Sequence, residues 1–105
     1  MTSLSTHVLD TATGAPAAGV EVTVDELIGG EWTEVSKGTT DVNGRVVSLG
    51  ARLGSGTFRL VFATEEYGSP FFPRVHVVVN LDEEEDHYHV PLLLSPYGYT
   101  TYRGG

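Results

Sequence analysis

The chain has 105 residues, about one domain's worth, no cysteine, and a net charge of −8 from 14 acidic and 6 basic side chains. Without cysteine there can be no disulfide framework, no thiolate chemistry and no Cys-based metal site, and the composition fits a reducing compartment. So acidic a chain is repelled by phosphate backbones and anionic lipid surfaces, which excludes nucleic acid and membrane surfaces as its leading partners.

The opening MTSLSTHVLD has neither a basic n-region nor a long apolar h-region, so a cytoplasmic setting is expected. No apolar run approaches about 18 residues, the length of a bilayer-spanning helix. Residues 3–9, SLSTHVL, alternate loosely and predict a first strand. TATGAPAAG at 11–19 reads as a turn-rich loop. VEVTVDEL at 20–27 alternates cleanly, with Val20, Val22 and Val24 on one face, and Trp32 and Val35 mark a third strand. TTDVNGR at 39–45 carries Asn-Gly, a strong short hairpin signal. Residues 45–49 and 57–63 follow as strands, the second with Phe58, Leu60 and Phe62 on one face. ATEEY at 63–67 is the one stretch with a helical turn in it, and Gly68 and Pro70 cut it short. RVHVVVNL at 74–81 places Val75, Val77, Val79 and Leu81 together. YHVPLLLS at 88–95 and YGYTTYR at 97–103 close the series. Seven or eight short, evenly spaced strands with turn signals between them predict an all-β protein, an antiparallel β-sandwich with residues 1–105 as one domain. The acidic run DEEED at 82–86 reads as a solvated hairpin loop, since it lacks the ligand alternation and glycine of a calcium loop.

The candidate chemistry lies in the histidines, the side chains whose free pKa sits near neutrality. His76 shares its strand face with Arg74 and Asn80 and is expected at the surface. His87 and His89 are different. Positions i and i+2 of a strand share a face about 7 Å apart, and Tyr88, Val90, Leu92 and Leu94 on the opposite face are core-like. The pair therefore points away from the core. Three readings stay open on physics alone: metal ligands, acid–base groups, or a polar outer face. Pro91 follows on the same face and, lacking an N–H, is expected at an edge or bulge. Arg45 follows the Asn-Gly turn and offers a planar, always-charged fork for anionic oxygens. The last residues, Tyr102-Arg103-Gly104-Gly105, carry with Tyr97 and Tyr99 enough apolar surface to dock rather than fray.

Together LSTHVLD at 4–10, the VNGR turn ending at Arg45, FFPRV at 71–75 and HYHVPLLLSPYGYTTYRGG at 87–105 resemble the 5-hydroxyisourate hydrolases, the transthyretin-related proteins of purine catabolism. The resemblance runs through essentially the whole chain, and its most specific part is the His-x-His strand leading into Tyr-Arg-Gly. It implies a transthyretin-like (prealbumin-like) sandwich of two four-stranded sheets with at most one short helix. It implies a homotetramer, a dimer of dimers with active sites where the dimers meet, and hydrolysis of 5-hydroxyisourate to 2-oxo-4-hydroxy-4-carboxy-5-ureidoimidazoline. Carried over, the catalytic set falls on His7, Arg45 and His89, with His7 as the base or the partner that orients it. Tyr102, Arg103, Gly104 and Gly105 would line the substrate, His87 would support, and neither metal nor other cofactor is called for. Two departures are visible. The family usually ends Tyr-Arg-Gly-Ser where this chain has Gly105, and TEEYGSP at 64–70 is shorter than the family's helix-bearing connection. The competing readings are a non-catalytic transthyretin-like ligand-binding or interaction module, and a zinc hydrolase using the histidines as ligands.

Overall fold

Alternating apolar residues decide which face of a core strand turns inward, and the chain's nine strands form two layers. A computed structural model describes all 105 residues. In chain order it contains β1 (Ser3–Asp10), β2 (Ala15–Pro16), β3 (Glu21–Ile28), β4 (Glu31–Thr39), β5 (Arg45–Val46), β6 (Gly56–Phe62), α1 (Thr64–Tyr67), β7 (Val75–Leu81), β8 (His87–Ser95) and β9 (Gly98–Thr101). One sheet runs β2-β1-β8-β9, with β5 also paired to β1, and the other runs β4-β3-β6-β7. The two sheets of the expected sandwich are therefore present, the first enlarged by the two-residue strand β2 inside the loop at 11–19. Their inner faces enclose one cluster of 18 buried apolar residues, among them Leu4, Val8, Val22, Val24, Phe58, Leu60, Phe62, Val90 and Leu92.

Every ladder is antiparallel except β1 with β8, which is parallel over eight residue pairs, Ser3 with His87 through Asp10 with Leu94. The two strands are joined through the whole of the other sheet, so no hairpin dictates their relative direction. This ladder places the two chemically loaded segments of the sequence side by side.

Two turns differ from the sequence reading. The Asn43-Gly44 signal closes no hairpin: β4 belongs to one sheet and β5 pairs with β1 in the other. Asp41 organises a tight crossing instead. Its carboxylate accepts from the N–H groups of Asn43 at 2.9 Å and Arg45 at 3.0 Å, and its carbonyl accepts from Gly44 N–H at 2.9 Å. Gly44 sits at φ +73° with its α-carbon against the Val8 carbonyl, where a Cβ would clash. The strand expected over 45–49 is accordingly reduced to Arg45 and Val46. The acidic run at 82–86 is solvated as expected, but it too crosses between sheets, from β7 to β8, and is not a hairpin. The shortened connection at 64–70 keeps a single helical turn, α1, which ends at Gly68 with φ 118°.

Candidate active site

On β1 the outward face carries Ser3, Ser5 and His7, and on β8 it carries His87, His89 and Pro91. The parallel register sets Ser3 opposite His87, Ser5 opposite His89 and His7 opposite Pro91. On the other side of β1, antiparallel pairing sets Arg45 opposite His7. The three residues expected to carry the reaction therefore come from three strands onto one sheet face.

Hydroxyls tie the histidines together. Ser5 Oγ lies 2.8 Å from His87 Nε2 and 2.8 Å from His89 Nδ1. Ser3 Oγ meets His87 Nδ1 and donates to the Asp86 carbonyl at 3.3 Å. Local sequence pattern does not mark these serines as functional. The one signal is the alternation of Ser3, Ser5 and His7, three polar residues on the outward face of a strand whose other face is core.

Arg45 is exposed and enters neither of the chain's two ion pairs, Arg59 with Asp25 and Arg103 with Glu85. Its guanidinium is left for an external oxygen. The pKa of His89 is held below the ordinary 6.5, first by burial and then by the charges of Arg45, His7 and His87. A half-buried imidazole beside a fixed cation is thereby kept neutral at physiological pH, as a base must be.

The terminal segment docks as expected, though within one chain its four residues do not line one site. Gly104 N–H donates to the His89 carbonyl at 2.7 Å, and the two residues form an isolated bridge in register with the β8–β9 ladder. Between Thr101 and Gly104 that ladder lapses. Backbone groups alternate sides along a strand, so the nitrogen of Pro91, like the carbonyl of His89, faces the terminal segment, and it has no hydrogen to give. Pro91 thus sits inside a strand paired on both sides, not at an edge or bulge. It is tolerated because the partner segment has already left the ladder at Tyr102 and Arg103.

A cleft of about 440 Å³ is lined by Ser5, Thr6, Arg45, Val46, Val47, His87, His89 and Gly105. Tyr102 and Arg103 do not reach it. They line a separate groove of about 340 Å³ with Val77, Val79, Leu81 and Tyr88. There the Arg103 guanidinium lies 4.6 Å from the centre of the Tyr88 ring and 3.8 Å from Glu85. The alternation that brings Gly104 to His89 turns Arg103 to the inner side of the sheet, so within one chain only Gly104 and Gly105 adjoin the histidines. His76 is exposed on β7, as expected. No three or more His, Cys, Asp or Glu side chains gather where they could share an ion, so a metal reading of the His-x-His pair lacks a third side-chain ligand in one chain.

Gly104 is sterically committed. A Cβ there would lie 2.7 Å from His89 Cδ2 and 3.2 Å from the His89 carbonyl oxygen, whereas one at Gly105 meets nothing within 4 Å. Gly104→Ala is expected to push the segment or the His89 ring aside and to lower kcat by up to about 100-fold, because a misplacement of about 1 Å costs that much. Gly105→Ser is expected to leave kcat unchanged or raise it. Steady-state rates of the two variants check both, and an unimpaired Gly104→Ala protein would show that the segment does not position the ring.

A base, a free cation and a second histidine on one wall can activate water, stabilise an oxyanion and protonate a leaving group. The HIUase/Transthyretin family model matches residues 4–104. The chain is 46% identical to a probable 5-hydroxyisourate hydrolase of Caenorhabditis elegans, over 97% of this chain and 80% of that protein. It is 43% identical to a 5-hydroxyisourate hydrolase of Salmonella typhimurium, over 96% and 79%. Among solved structures, it superposes on Klebsiella pneumoniae 5-hydroxyisourate hydrolase with a TM-score of 0.88 at 34% identity, covering 100% of both chains. Sea bream transthyretin in complex with thyroxine gives a TM-score of 0.90 at 33% identity, over 96% of this chain and 93% of that one.

Proposed function

The chain belongs to the HIUase/Transthyretin family, and from that premise we propose that it is a 5-hydroxyisourate hydrolase acting in urate degradation. The backbone alone does not separate a hydrolase from a thyroxine-bound transthyretin, because solved structures of the two superpose with TM-scores of 0.88 and 0.90. The observation that carries the reading is the placement of His7, Arg45 and His89 on one outward sheet face by strand register. The relatives above 40% identity, named as hydrolases, support it.

The reaction adds water across a ring amide, giving 2-oxo-4-hydroxy-4-carboxy-5-ureidoimidazoline. His89, neutral because its pKa is depressed, takes a proton from water as the oxygen attacks the amide carbon. We therefore assign the base to His89 rather than to His7. Arg45 donates to the oxygen on which charge develops. His7, beside Arg45 in register, gives a proton to the ring nitrogen as the C–N bond breaks. In water enriched in oxygen-18, the product is expected to gain one heavy oxygen in its new carboxylate, at a rate proportional to protein concentration. Mass spectrometry of quenched samples reads this, and a rate indifferent to protein would refute the enzyme.

A homotetramer is part of the same proposal. The two sheet orders end at β7 and β9, which line one groove together, and unpaired edges are templates for another chain. Val78, Tyr99, Tyr102 and Phe71 are exposed near those edges at 57%, 41%, 54% and 64%. Pairing there would make a dimer, and a second dimer laid over the His89 face would close a cleft that stands open in one chain. Tyr102 and Arg103 would then act at the contact between copies. Sedimentation equilibrium is expected to give four times the chain mass of 11.3 kDa, and a single-chain mass at assay concentration would contradict it. A cytoplasmic setting completes the proposal, supported by the lack of cysteine; cell fractionation tests it.

A further inference from the structure

His89 is poised as a base, but an imidazole has two nitrogens, and only the unprotonated one can take a proton from water. The hydrogen bonds of the surrounding hydroxyls point to which one that is. Ser3 donates its only hydrogen to the Asp86 carbonyl, which can only accept. His87 Nδ1 must then donate to Ser3, leaving Nε2 of a neutral His87 bare. Ser5 donates to that nitrogen, so its oxygen is free only to accept. His89 Nδ1 must therefore be the donor to Ser5. With both rings neutral, no other arrangement of hydrogens satisfies all four contacts.

We propose that Ser5, in series with Ser3 and His87, is a positioning residue that holds His89 in its Nδ1–H form and leaves Nε2 as the only basic atom of the ring. The inference rests on the hydrolase reading for its catalytic meaning, though not for the tautomer itself. Ser5 is suited to the task because it is only 9% exposed and its hydroxyl lies between the two rings. The neighbours of His89 do not compete for Nδ1. His7 on β1, Arg45 on β5 and His87 on β8 face the ring as charges or potential charges, and the terminal segment meets its carbonyl through Gly104 N–H. His87 enters neither of the chain's ion pairs. When His89 accepts a proton at Nε2, its Nδ1–H bond to Ser5 persists, so nothing in the row has to reorganise during the step.

The test is nitrogen-15 NMR of the whole protein labelled in its histidine rings, at a pH where His89 is neutral. The unaltered protein is expected to show His89 with Nδ1 protonated and Nε2 bare, and Ser5→Ala is expected to convert it largely to the Nε2–H form. In the same variant kcat should fall by about 10- to 100-fold with KM nearly unchanged, the usual effect of losing a group that orients a functional histidine. Ser5→Thr, which keeps a hydroxyl, should restore both the spectrum and most of the rate. A protonated Nε2 in the unaltered protein would overturn the proposal, and that spectrum needs no variant to fold. A Ser5→Ala protein with unchanged tautomer and rate would overturn it equally. If the unaltered protein hydrolyses nothing, the functional reading falls, and the spectra still decide the tautomer.

Discussion

Replacing His89 with alanine is expected to lower kcat for ring opening by about 10²- to 10⁴-fold, the usual contribution of a positioned general base. The fold should survive. The bond from Gly104 is to the backbone carbonyl of residue 89, Ser5 keeps His87 as a partner, and the lost ring lies on the outer face of the sheet. The same substitution should remove the acid limb of the pH–rate profile. In the unaltered protein that limb is expected to have its midpoint below 6.5, because burial first, and then Arg45, His7 and His87, disfavour the imidazolium. Activity should thus rise on the acid side as pH climbs through the lowered value. Stability follows the same sign. In the window between the folded value and 6.5 the unfolded chain binds more protons, so this histidine's share of stability is whole above 6.5 and is lost as pH falls through that window. A His89→Ala protein with the original rate and acid limb would remove His89 from the mechanism.

Arg45→Ala is expected to cost about 10²- to 10³-fold in kcat, the magnitude found when one donor to a developing oxyanion is deleted. It should also shift the acid limb upward, since the guanidinium charge is the second cause of the lowered His89 pKa. Burial, the first cause, stays, so the limb should move only part of the way toward 6.5. Arg45→Lys separates the two effects: the charge keeps the limb near its original place, while loss of the planar fork still lowers kcat. The fold has little at stake, because Arg45 is exposed and outside both ion pairs. An Arg45→Ala protein with an unmoved limb would show that the guanidinium does not act on His89.

Much of this was legible in the chain. Clean alternation in VEVTV, FRLVF and VHVVVNL marks strands whose inner residues are buried, Val79 alone being only partly so. The His-x-His spacing correctly placed both rings outside the core. What local pattern does not encode is which sheet a strand joins. Asn43-Gly44 and the run at 82–86 look like hairpin loops over their own length, and they cross between layers because the partners of β5 and β8 lie far away in sequence, on β1. Ser5 goes unmarked in the local pattern for the same reason. It is an ordinary strand serine until the parallel β1–β8 register sets it against two imidazoles. The terminal tetrapeptide is expected to line the substrate as a unit, and within one chain strand alternation divides it, with Gly104 at His89 and Arg103 over Tyr88.

The central claim is tested most directly by generating 5-hydroxyisourate with urate oxidase and following its ultraviolet absorbance with and without the purified protein. Decay that accelerates in proportion to protein, and is abolished in His89→Ala, is the predicted result. Decay at the buffer rate at every protein concentration would contradict the account.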